Sequence, residues 1–100
     1  MKIVSFNENL VFNDDRVDIS LILETAHSKE MRILIRKDQT LKEHTTPHVI
    51  ILHVLEGTIA FGVEDKIVML NKNEVITLDK NIKHHLKGKT DSIVRLTIFK

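Results

Sequence analysis

The 100-residue chain contains no cysteine, tryptophan or tyrosine, a single proline and only three glycines. Without thiols there can be no disulfide, no thiolate nucleophile, no iron–sulfur cluster and no cysteine-ligated zinc finger. A metal would have to be held by His, Asp, Glu or water. Four phenylalanines are too few for a platform on which nucleic-acid bases stack, and a formal charge of +1 gives no field that would recruit nucleic acid or an anionic membrane. No apolar run approaches the roughly 20 residues of a membrane-spanning helix. The start, Met1-Lys-Ile-Val-Ser-Phe-Asn-Glu-Asn9, lacks the apolar centre of a signal peptide, so a cytoplasmic location is expected. Also missing are a glycine-rich phosphate loop, a Gly-x-Ser-x-Gly elbow and a His-Glu-x-x-His zinc motif.

The composition, 42% hydrophobic and 29% charged, suits one folded domain over residues 1–100. Lys2-Ile-Val-Ser-Phe6 alternates like an edge strand and is followed by a loose connection. It reads equally as an arm exchanged with a second subunit of a homodimer, since free edges invite pairing. We therefore assign residues 1–29 to N-terminal strands that can form a dimer arm, and 30–100 to the core. Within these, 17–23 and 31–36 read as strands, and 37–43 reads as a polar approach to the next segment. Beyond residue 48, six short apolar stretches (49–55, 58–63, 66–70, 74–78, 84–86 and 93–99) alternate with polar breaks. Asn71, Asn73 and Asn81 are placed where a left-handed backbone would be needed. No segment has a 3.6-residue period. The class is all-β, a sandwich or barrel, with Ile35, Leu52, Phe61, Leu70, Ile76 and Leu96 lining the inner face.

The chemistry concentrates in residues 44–57, where His44, His48 and His53 fall within ten residues and the only proline, Pro47, separates the first two. Imidazole titrates near neutrality and ligates zinc, nickel, copper and iron. His53 interrupts an apolar strand, so it must find a partner or face a cavity. His84 and His85 must point to opposite sides of their strand, with His85 on the rim or surface. His27 stands apart in a polar turn. Glu43, Glu56 and Glu74 are candidate general bases, although strand-end carboxylates are more simply solvent-facing. The basic stretch 79–89 is more simply a solvated turn than a phosphate site.

His44-Thr-Thr-Pro47, Val54-Leu-Glu-Gly57, Leu70-Asn-Lys-Asn-Glu74 and Leu78-Asp-Lys-Asn-Ile-Lys-His84 together resemble the two motifs of a small single-domain cupin. The match is to a subgroup reading Lys-Glu-His-x-x-Pro … Val-Leu-Glu-Gly, of unassigned role. It covers roughly residues 30–100, with 91–98 similar to the last barrel strand. The resemblance implies a single antiparallel jelly-roll β-barrel and aligns His44 and His84 with motif histidines. Two ligand positions of the pattern hold Thr46 and an isoleucine (Ile50 or Ile51), which leaves His48 and His53 as substitutes. The expected metal set is thus His44, His53, His84 and His48, holding Zn²⁺, Ni²⁺, Cu²⁺ or Fe²⁺. The same imidazoles would also serve a metal-free site for a small organic ligand. A binding cupin leads. The alternatives are a metal-dependent oxygenase or isomerase acting on a small polar metabolite, and a non-catalytic dimerisation or sensor domain.

Overall fold

The computed structural model describes all 100 residues, with nine strands and no helix. They are β1 (Asp18–Glu24), β2 (Ser28–Ile35), β3 (Thr40–His44), β4 (Ile50–Glu56), β5 (Thr58–Val63), β6 (Lys66–Asn71), β7 (Val75–Leu78), β8 (His84–Gly88) and β9 (Ser92–Phe99). Two antiparallel sheets face each other, one of five strands in the order β1-β2-β9-β4-β7 and one of four in the order β3-β8-β5-β6. This jelly-roll arrangement is not a closed barrel, because each sheet keeps its own edges. No helix is present that is long and apolar enough to cross a membrane.

Alternation along the strands builds the core. Ile33 and Ile35, Leu52 and Val54, Ile59 and Phe61, Leu70, Leu78, Leu86 and Val94 turn inward into one cluster, with Ile76 and Leu96 packed against it. All six inner-face residues expected from the sequence therefore contribute. The turns explain several polar breaks. Glu64 and Asp65 both have positive φ and form the two-residue turn joining β5 to β6. Asn73 and Asn81 are left-handed as expected, whereas Asn71 belongs to β6. Gly57 has φ +90°, and a Cβ there would come within 2.2 Å of Ser92 Oγ. Only glycine satisfies both demands at this turn.

Three expectations need correction. The segment Lys2–Phe6 is not a strand, and β1 begins only at Asp18. Residues 6–14 form a strap across the outer face of the five-stranded sheet. Arg32, 6% exposed, donates to the carbonyl oxygens of Phe6 (3.2 Å), Glu8 (2.6 Å) and Asn9 (3.3 Å). The guanidinium of Arg95 lies 5.4 Å from the centre of the Phe6 ring and that of Arg36 lies 5.2 Å from Phe12. Gln39 Nε2 donates to Asn13 O at 2.7 Å. Second, a boundary at 29/30 cuts through β2, whose pairing with β9 runs unbroken from Ser28↔Phe99 to Ile35↔Ser92. Third, the polar stretch 37–43 contains most of β3, an edge strand with only Leu41 packed against the core.

Candidate functional site

Two histidines meet at one end of the four-stranded sheet, and a backbone irregularity brings them together. On β3, Leu41 pairs with Leu86 of β8, and both face the core. Regular alternation would send Glu43 inward next and His44 outward. The register instead slips between Leu41 and His44, so that His44 lies directly opposite His84. Bulges commonly re-aim a side chain in this way. The two rings have centroids 4.3 Å apart, tilted by 60°, and Phe61 stacks with His84 at 5.8 Å. The loops that follow β3 and precede β8 are tied together, with Asn81 N donating to Thr46 O at 2.8 Å.

Each imidazole is oriented by its own backbone. Nδ1 of His44 lies 2.8 Å from Lys42 O, and Nδ1 of His84 lies 2.9 Å from Ile82 O. A carbonyl can only accept, so both Nδ1 atoms carry the proton, and each Nε2 of the neutral ring keeps its lone pair. His84 is 3% exposed, whereas His44 opens to solvent. Burial lowers the pKa of His84. Its bond to Ile82 O works in the opposite direction, and the nearby His44 and His85 add to the lowering. His84 is therefore a neutral acceptor at physiological pH.

The other two expected ligands lie elsewhere. Leu52 and Val54 take the inner face of β4, which turns His53 outward between Val75 of β7 and Arg95 of β9. His48 is half-buried in the β3–β4 connection. No group of three or more His, Cys, Asp or Glu side chains is placed to hold a metal ion. A zinc ion takes four ligands in structural sites and three protein ligands in catalytic ones. Two imidazoles, with Thr46, Ile50 and Ile51 where further ligands were expected, do not fit a metal held by the protein alone.

Sequence reasoning gave no role to a second polar cluster, on the outer face of the five-stranded sheet. Buried Glu30 accepts from Arg95 Nε at 2.7 Å and from Thr97 Oγ1 at 2.8–2.9 Å. Burial alone would raise the Glu30 pKa, but the bonds from Arg95 and Thr97 together with the Arg95 charge outweigh it, and the net direction is down. The Arg-x-Thr spacing on one face of β9 opposite a lone Glu in β2 was the available signal. It required knowing that β2 pairs with β9.

No family model matches the sequence, and no curated protein matches it. Solved structures do. An RmlC-like cupin protein from Desulfovibrio desulfuricans superposes with a TM-score of 0.90 at 24% identity, over 99% of this chain and 96% of that one. This is the fold of a small cupin domain. An RmlC-like cupin from Shewanella frigidimarina gives 0.83 at 18% identity (99% and 91% covered). An uncharacterized conserved protein with a double-stranded β-helix domain from Klebsiella pneumoniae gives 0.85 at 16% (99% and 89%). At these identities the likeness carries the cupin fold and not a cupin activity, since one fold hosts many functions.

Proposed function

We propose that this cupin is a binding protein, taking a small polar molecule at the His44–His84 pair without a resident metal. The observation that carries the reading is the matched orientation of the two rings. Both Nδ1 atoms face carbonyls, so in the neutral rings both Nε2 atoms are hydrogen-bond acceptors. Such a pair suits a ligand that offers O–H or N–H donors. Burial of His84 beside Phe61 strengthens its bond to such a donor, because a hydrogen bond gains where water is excluded. His44, at the open side, would make the first contact. A metal-dependent oxygenase or isomerase has less support, because two imidazoles fall short of the three protein ligands that a catalytic zinc takes.

The test begins with elemental analysis of protein purified without chelator, beside the His44→Ala/His84→Ala variant. Near-stoichiometric metal that disappears in the folded variant would overturn the metal-free reading. A thermal-shift screen of neutral polyols, sugars and amides follows. A hit is expected to perturb both rings in long-range ¹H–¹⁵N spectra and to lose its stabilising effect in His84→Gln. Hits that leave both rings unmoved would place binding elsewhere.

A further inference from the structure

On the opposite side of β8 from His84, the other member of the dipeptide has a setting of its own. His85 faces outward directly across from Gly62 of β5. A Cβ on Gly62 would come within 1.8 Å of His85 Cε1 and 2.2 Å of Nε2, so the imidazole occupies the space a side chain would need there. Gly62 does not have the positive φ that would require glycine for conformational reasons. A glycine inside a strand forfeits side-chain packing and often marks a close approach. The space it leaves is filled by the His85 ring.

That ring is part of the floor of a cleft of about 570 Å³, in the size range of small-molecule sites. The β5–β6 turn rises on one side and the β7–β8 loop on the other, with Ile67 as an apolar wall. Glu43, Glu64, Asp65, Lys66 and Lys83 also line the cleft. None of the five takes part in the ion pairs of the protein, which join Arg36 to Asp14 and Asp91, Lys72 to Glu56, Arg95 to Glu30 and Lys100 to Glu24. Residues bearing three carboxylates and two ammonium groups thus border one concavity with no salt bridge among them. A simple anion or cation entering it would meet charges of its own sign. A molecule carrying both signs could meet a complement for each, while its apolar part rests against Ile67 and the His85 ring.

We propose that this outer cleft is a second ligand site, independent of the His44–His84 pair, for a small zwitterion such as a free amino acid or a betaine. Glu43, Glu64 and Asp65 receive the cationic group, Lys66 and Lys83 the anionic one, and His85 provides the contact surface.

Ring signals of His85 in ¹H–¹³C spectra give the readout, with glycine, L-lysine and glycine betaine as probes. Acetate and methylammonium, the two single-charge halves of glycine, are the controls. At least one zwitterion should shift His85 saturably, while each half alone binds at least about tenfold more weakly. Lys83→Ala and Glu64→Ala, both at exposed positions, should each weaken the zwitterion by about tenfold, and His84→Gln should leave it unchanged. Gly62→Ala should displace the ring and abolish binding, and His85→Ala supplies the same test should Gly62→Ala fold poorly. No saturable shift with any zwitterion, equal binding of a half, or equal loss in His84→Gln would each overturn the proposal.

Discussion

Replacing Glu30 by Gln removes one negative charge from a buried position while keeping the size of the side chain. In the wild type the carboxylate accepts from Thr97 inside the protein and from Arg95 at its margin. A hydrogen bond to a charged group contributes about 1.5–3 kcal/mol, and one between neutral groups about 1. Gln retains an acceptor for Thr97, so that bond falls by about 1 kcal/mol. The Arg95 side chain is 42% exposed, and solvent screening holds its share to about 0.5–1 kcal/mol. The expected loss is therefore about 2 kcal/mol at neutral pH, or roughly 8–15 °C in Tm for a domain of this size. The pH dependence provides the sharper check. The folded-state pKa of Glu30 is depressed, so its contribution is complete above the unfolded value of about 4.3 and is lost as pH falls through the folded value. Protonated Glu and Gln are near-isosteres, so the two proteins should converge in acid. Urea unfolding of both across this range measures the difference, in which other titrating groups cancel. A gap of the same size at neutral and acidic pH would refute the reasoning, since only packing would then distinguish the variants.

Four further outcomes are expected. His84 should titrate below a free histidine in NMR, and the stability it contributes should be complete above about pH 6.5 and fall away as pH drops through its lowered folded value; an ordinary titration would remove the argument for a neutral acceptor. Gly57→Ala should cost about 2–4 kcal/mol in urea unfolding, because the new Cβ meets Ser92 in a left-handed backbone; a loss below about 1 kcal/mol would show that the turn yields readily. Arg32→Leu should speed amide exchange in residues 6–9 while changing global stability by only about 1 kcal/mol, since Nε of Arg32 has no partner and an apolar replacement relieves that cost; exchange that stays slow would mean the strap is held by something else. If the protein forms the expected homodimer through the free edge of β1, where Ile19 and Leu21 remain 48% and 51% exposed, Leu21→Lys should shift sedimentation from dimer to monomer; an unchanged dimer would place the interface elsewhere.

The strands were legible in the sequence wherever alternation met a clear turn. Thr58–Val63 was read with its observed boundaries, and most others shift by only one to three residues. β3 escaped because an edge strand needs few inward residues, and Leu41 alone gives no period. Lys2–Phe6 has the alternation of a strand, yet its neighbourhood offers a guanidinium and an aromatic contact in place of a ladder. At the site, sequence motifs found His44 and His84 but not the bulge that puts them on one face. His53 is no companion because Leu52, read from the sequence as an inner-face residue, and Val54 both point inward, and without a bulge a residue between them cannot.

The central position of β9 has a consequence for how the chain folds. β9 lies between β2 and β4, so neither half of the five-stranded sheet can join the other before it arrives. The Glu30–Thr97 bond alone closes a loop of 67 residues, and contacts so distant in sequence slow the search for the native topology. Until β9 inserts, the β1–β2 hairpin and the β4–β7 pair each carry an unpaired inner edge, β2 on one and β4 on the other, and both strands bring core residues to it. Two such edges on a half-assembled chain can pair with those of another copy. Aggregation during refolding should therefore respond most strongly to changes in β9, including ones that leave the finished protein as stable as before.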